Sequence, residues 1–203
     1  MNPLEKITDQ DTELMLRVKA GDSEAFSILF EKYYQKVVSL CWRYIQNTEL
    51  AQDAAQEVFL KIFNTAKKYR PTASFSTYIY RITVNHCLNE LREKRRHPTI
   101  SLDYEANNIN QDDSSLLESL PSENQSPREI AIKKEIQTEI RKAISELPEK
   151  QRMAIILKRF DNLSYEKIGE TMGCSVGAVD SLLQRARYTL LKKLKKNFRE
   201  GIF

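Results

Sequence analysis

The stretch LSYEKIGETMGCSVGAVDSLLQRARYTLLKKL, residues 163–194, gathers residue types that grip nucleic acid on one side of a helix. Ser164 is placed to cap a first helix, with Ile168 and Met172 facing inward. Gly173 ends it, because glycine enters the left-handed conformation without steric cost. Ser175 caps a second helix, on which Val176, Val179, Leu183, Ala186 and Leu190 recur three or four apart and face the core. The opposite face carries Gly177, Ala178, Asp180, Ser181, Gln184, Arg185, Tyr188 and Lys192. Small residues at its N-terminal end admit close approach to base edges. Arg185, Arg187 and the cluster Lys192, Lys193, Lys195 and Lys196 have the charge to neutralise phosphates. This is the pattern of a helix-turn-helix, whose second helix enters the major groove. The same spacing also suits a plain helical hairpin with a solvated basic face.

A second set of chemically suggestive residues lies in the first half. DAAQEVFLKIF puts Asp53, Gln56 and Glu57 opposite Val58 and Ile62. Such an acidic face is either solvated or docked on a basic partner surface. KKYRPTASFSTYIYRI interleaves Tyr69, Phe75, Tyr78 and Tyr80 with Lys67, Lys68, Arg70 and Arg81. Burial is the default for aromatics, yet aromatics among cations also stack unpaired bases while holding the backbone. NHCLNELREKRR ends in Arg92, Lys94, Arg95 and Arg96, which complement a helix dipole as readily as a phosphate.

Catalytic chemistry finds no footing. The chain has no GxxxxGK phosphate loop, no HExxH pair and no acidic metal cluster. His86 and His97 are the only two histidines, and the three cysteines, Cys41, Cys87 and Cys174, are widely spaced. They read as reduced thiols in or near helix cores. No enzyme activity, cofactor or metal is expected.

The elements that position these residues are helical. The chain has 203 residues and a net charge of +4, unevenly spread. Residues 1–96 hold 15 basic and 12 acidic residues, 97–132 hold 1 and 7, and 133–203 hold 16 and 9. The acidic middle, rich in Asn, Ser and Pro, reads as a flexible linker. The expected division is a helical domain at 1–96, a linker at 97–132 and a helical domain at 133–203. DSEAFSILFEKYYQKVVSLCWRYI repeats Phe26, Leu29, Phe30, Tyr33, Val37, Leu40, Cys41 and Tyr44 at helical steps. The next helix starts with Thr48 as N-cap and has Leu50, Ala54, Val58, Ile62 and Ala66 inward. A third places Ile79, Ile82, Val84, Leu88 and Leu91 inward. Four helices are expected after residue 126, one of them with Pro148 just inside its start. The fold class is all-α: two small helical domains joined by an acidic linker, the second with the helix-turn-helix. No run of 18 apolar residues and no basic-then-apolar leader occurs, so the expected compartment is the cytoplasm.

ELAQDAAQEVFLKIF, FSTYIYRITVNHCLNELREKRR and ISELPEKQRMAIILKRFDNLSYEKIGETMGCSVGAVDSLLQRAR, in this order, resemble a bacterial RNA polymerase sigma factor of the sigma-70 family, ECF (extracytoplasmic function) group. The resemblance covers about residues 20–96 and 135–195 and leaves the N-terminal tail and linker outside. It implies partners: core RNA polymerase through its β′ clamp helices and β flap, promoter DNA, and an anti-sigma factor. It implies that Asp53, Gln56, Glu57 and Phe59 bind polymerase. It implies that Arg70, Ser74, Phe75, Tyr78, Arg81, Asn85, Asn89 and Arg92 recognise and open the −10 element, with a flipped base held at the loop from Arg70 to Ser74. It implies that Ser175, Gly177, Ala178, Asp180, Ser181, Gln184, Arg185 and Arg187 read the −35 element. The linker would run near the nascent RNA.

This chain departs from the pattern in three places. Tyr78 stands where many members have Trp. Asn89 stands where Asp is common. The recognition helix reads AVDSLL for the usual TVKSRL, so Asp180 and Leu182 replace basic residues; Asp180 repels phosphate but accepts from a cytosine amino group. The alternatives are weaker on sequence: a stand-alone DNA-binding regulator, whose helix-turn-helix would resemble the LuxR type, lacks the alternating strands of a receiver domain, and an enzyme acting on nucleic acid lacks a catalytic constellation.

Overall fold

The computed structural model describes residues 9–96 and 127–199. They form α1 (Gln10–Lys19), α2 (Ser23–Ile45), α3 (Thr48–Thr65), a 3-10 turn (Ala66–Lys68), α4 (Phe75–Arg96), α5 (Pro127–Ser145), α6 (Glu149–Arg159), α7 (Tyr165–Met172) and α8 (Val176–Arg199). No strand occurs among the described residues. The all-α expectation is met.

In the first half α2 is the hub, packing on α1, α3 and α4. Its inward face holds Leu29, Tyr33, Val37, Leu40, Cys41 and Tyr44, as the spacing predicts, with Phe26 and Phe30 half-buried at the rim. The stripe on α3 is corrected at its start: Leu50 is exposed and Ala51 is buried instead. The cap is corrected by one residue. Asn47, extended at φ −141°, accepts from the Leu50 amide at 2.9 Å, and Thr48 is the first helical residue. On α4, Ile79, Val84 and Leu88 are buried and Ile82 is half-buried; the side chain of Leu91 lies outside the described residues.

α1 falls in the segment read as a tail. Asp9 caps it, accepting from the Thr12 amide at 2.6 Å, and Leu14, Met15 and Val18 enter the core. Asp11 fastens it to α2 by accepting from Tyr33 Oη at 2.7 Å and Lys32 Nζ at 2.5 Å. Burial works against ionisation of Asp11, but these two hydrogen bonds outweigh it and hold the carboxyl below its usual range.

In the second half the four expected helices form, but α5 already runs over 127–132, which the charge count gave to the linker. Linker residues 97–126 lie outside the described residues. Pro148 is the N-cap of α6, one position before the helix rather than inside it. Met153, Ile156, Leu157, Ile168, Val179 and Leu183 are its fully buried centre.

The two halves do not stand apart. α4 packs on α7, and α2 on α6, so the buried side chains form one continuous cluster from α1 to α8. At the seam, Asp161 in the α6–α7 turn meets Arg43 and Tyr80. Burial raises its carboxyl above the usual range, and those two partners offset only part of that.

Candidate nucleic-acid interface

The helix-turn-helix is built by local geometry. Ser164 Oγ accepts from the Lys167 amide at 3.2 Å. Gly173 turns the chain at φ 66°, and Ser175 Oγ accepts from the Ala178 amide at 3.2 Å to start α8. Gly169 is the packing determinant that sequence reading missed. A Cβ there would sit 2.7 Å from the Cys174 carbonyl oxygen, so only glycine lets α7 meet the turn this closely. Its own carbonyl accepts from the Cys174 amide at 3.0 Å.

The start of α8 offers a small, open surface. Ser175, Gly177, Ser181, Gln184, Arg185 and Arg187 are exposed, and Ala178 and Asp180 are half-buried. Asp180 accepts from Gln184 Nε2 at 2.8 Å, which orients that amide along the helix. Arg185 Nε donates to the Ser181 carbonyl at 3.1 Å. Arg187 lies toward α7, 3.5 Å from the Tyr165 hydroxyl. Val176, expected inward, is corrected: it is 44% exposed at the first turn, before the helix meets the core.

In the first half, the loop Arg70–Ser74 is fixed at both ends. Lys19 Nζ donates to the Tyr69 carbonyl at 2.8 Å, so α1 holds its start. Ser74 Oγ accepts from the Thr77 amide at 3.3 Å and lies 3.0 Å from the Ser76 and Thr77 hydroxyls, closing its end. Arg70 is exposed and Ser74 half-buried beside it. Phe75 is corrected: it is fully buried, edge-on to Tyr33 at 5.3 Å, and presents no face for a base. Tyr69 is buried too, with its ring 4.9 Å from that of Tyr78. Tyr78 is half-buried, as is Tyr80, whose hydroxyl donates to Asp161. Arg81, Asn85 and Asn89 follow at four-residue steps, the two asparagines exposed. The side chains of Arg92, Lys94, Arg95, Arg96 and Lys196 lie outside the described residues.

On α3, Asp53, Gln56 and Glu57 are exposed along one face, and Glu57 lies 3.8 Å from His86 Nδ1. Phe59 is corrected. It is buried against Phe26, Phe30 and Tyr34, where it supports the face from behind. Leu60 (60% exposed) and Phe63 (51%) flank the acidic residues outward. Their signal in the sequence was apolar residues lying off the inward stripe. Cys41 and Cys87 are buried, with sulfurs 3.8 Å apart, and Cys174 is half-buried. Among the described residues no three metal-ligating side chains cluster, and no helix is long and apolar enough to cross a membrane.

The structure thus pairs a helix-turn-helix that exposes small and basic residues on α8 with a helical half that exposes Asp53, Gln56 and Glu57 beside Leu60 and Phe63 on α3. Residues 29–97 match the family description Sigma-70 region 2, and residues 137–190 match Sigma-70, region 4. The RNA polymerase sigma-H factor of Pseudomonas aeruginosa is 34% identical over 195 residues, covering 95% of this chain and 98% of that protein. The ECF RNA polymerase sigma-E factor of Escherichia coli is 36% identical over 193 residues, covering 94% and 96%. This chain belongs to the sigma-70 family, in its ECF group. Two solved structures share the fold. CnrH in complex with the cytosolic domain of CnrY has a TM-score of 0.62 at 17% identity, covering 93% of this chain and 99% of that one. The sigma factor RpoE in complex with the anti-sigma factor NepR from Bartonella quintana has a TM-score of 0.58 at 21% identity, covering 84% and 96%.

Proposed function

We propose that this chain is a promoter-recognition subunit of bacterial RNA polymerase, which directs initiation by reading −35 and −10 elements and helping to open the DNA. The carrying observation is that family regions 2 and 4 both occur, in a chain that matches sigma relatives over nearly their whole length. It contributes recognition and strand opening, and the polymerase does the chemistry. Its place of work is the cytoplasm.

The roles divide by surface. Asp53, Gln56 and Glu57, with Leu60 and Phe63 beside them, dock on the β′ clamp helices. Charge at the acidic face steers the encounter and the exposed apolar pair supplies burial. Arg70, Ser74, Tyr78, Arg81, Asn85, Asn89 and Arg92 face the −10 element. The doubly anchored loop and the Tyr78 ring together form the seat for a base leaving the stack. Ser175, Gly177, Ala178, Ser181, Gln184, Arg185 and Arg187 face the −35 element, where Asp180 aims Gln184 at a base edge rather than meeting phosphate. Partners of the kind seen with RpoE and CnrH, an anti-sigma factor and a cytosolic domain, are the expected inhibitors.

The docking face is testable by itself. Asp53→Ala with Glu57→Ala is expected to weaken binding to core polymerase about 30-fold or more, in the range of interface hot spots. Circular dichroism should be unchanged, since both side chains are exposed. Wild-type affinity in the double variant would remove this face from the interface.

A further inference from the structure

The exposed side of α8 has a centre line. Gly177, Ser181, Gln184 and Tyr188 follow at steps of four, three and four, so they share one stripe, and all four are exposed. Part of its polar capacity is spent inside the helix. Ser181 Oγ donates to the Gly177 carbonyl at 2.9 Å, which leaves its hydroxyl as an acceptor. Arg185, on the flank, commits its Nε–H to the Ser181 carbonyl. Gly177 brings no side chain, and a Cβ there would meet nothing within 4 Å. Gln184 differs. Its Nε2 donates to Asp180 Oδ2 at 2.8 Å, and among the described residues its amide has no other partner.

Asp180, one turn earlier, decides how that amide is presented. A carboxylate only accepts, so the nitrogen end of Gln184 must face it and the oxygen end must face away. An unrestrained glutamine turns its amide over and has two N–H donors to offer. Here one N–H is spent on Asp180. What remains is one donor beside one acceptor, in a fixed order.

We propose that Asp180 and Gln184 form one reading unit that selects adenine at a position of the −35 element. Adenine shows N7 as acceptor and N6–H as donor, and satisfies both ends of the amide. Guanine shows two acceptors, N7 and O6, so Oε1 of Gln184 is set against O6. With its second N–H already taken, the amide cannot turn to give guanine two donors. Thymine shows O4 beside a methyl group and cytosine only its N4 amino donor, so each leaves one end of the amide unpaired. Asp180 is a positioning residue. It repels phosphate and acts on the base through Gln184. The proposal rests on the promoter-recognition reading above and adds the base that is read.

The test uses the full chain assembled with core polymerase. Run-off transcription is driven from templates randomised upstream, and the transcribed templates are sequenced. Wild type should show a −35 column in which adenine exceeds guanine about tenfold, as expected of a bidentate pair. Gln184→Ala should flatten that column. Asp180→Ala keeps the glutamine but frees it, and the preference for adenine over guanine should fall to about twofold. Asp180→Asn retains an acceptor of the same length and should keep the adenine. Gln184→Arg, with donors at both ends, should move the column to guanine. These changes should be confined to one column, whereas a merely structural role would weaken all columns alike. An adenine column that persists in Gln184→Ala, or a wild-type ratio in Asp180→Ala, would overturn the reading unit. So would a cytosine column that is lost in Asp180→Ala and kept in Gln184→Ala, which would make Asp180 the direct reader. A shared motif without an adenine column in its −35 half overturns the unit alone. A wild-type library with no shared motif overturns the promoter reading and the unit with it, so the two failures are told apart.

Discussion

Phe75→Ala is expected to destabilise the protein by about 3–5 kcal/mol, the usual cost of emptying a large aromatic site in a core. Phe75 is fully buried, packed edge-on to Tyr33 and 6.1 Å from the Tyr78 ring. It starts α4 and so fixes where the loop Arg70–Ser74 ends. A loss of that size is a large part of the total stability of a domain. Urea unfolding should show the midpoint fall, and any loss of promoter activity should track the unfolded fraction. Tyr78→Ala should behave in the opposite manner. Its ring is half-buried at the surface, so stability changes little while promoter opening suffers. If Phe75→Ala kept wild-type stability and lost only promoter opening, the core placement would be wrong and direct stacking would return.

Two glycines eight residues apart should respond to a side chain with opposite signs. Gly169→Val drives a Cβ to within 2.7 Å of the Cys174 carbonyl oxygen. The obstacle is backbone in the turn itself, so α7 and α8 must separate. The expected cost is about 1–3 kcal/mol or more, concentrated in the helix-turn-helix, with −35 recognition lost. Gly177→Ala adds its Cβ into open space. Relative to glycine within a helix, alanine gains roughly 0.5–1 kcal/mol. Gly177→Ala should therefore be as stable as wild type or more so, and any loss of DNA binding there reads as obstructed approach. Thermal unfolding of both variants checks the contrast. Equal stability for the two would contradict the packing of α7 against the turn.

Local signals carried much of this fold into the sequence. Gly173 and Ser175, three bonds of helix capping and a stripe at steps of three and four suffice to define α7 and α8, because each depends on neighbours within one turn. What was not legible depends on residues far away in the chain. Phe75 and Tyr78 have the same chemistry and lie on one helix. Packing against distant residues, Tyr33 of α2 among them, makes the first core and leaves the second half-buried. Phe59 differs from Phe63 in the same manner, since the rings of α2 enclose the first and leave the second half exposed. α1 had local signals in Asp9, Leu14, Met15 and Val18, but its few apolar residues are separated by charged ones, and burial came from α2. The seam through Asp161 had no local signal at all. Its partners Arg43 and Tyr80 are 118 and 81 residues away. Thus the helices could be read from spacing, while the division of aromatics between core and surface could not.

The most direct test of the central claim is run-off transcription with purified bacterial core polymerase, with and without this chain, on templates carrying a library of random upstream sequences. Transcripts that start a fixed distance below a shared two-part motif, and only when the chain is present, are the predicted result. DNA binding by the chain with no polymerase-dependent transcript from any template would contradict it and favour a stand-alone regulator.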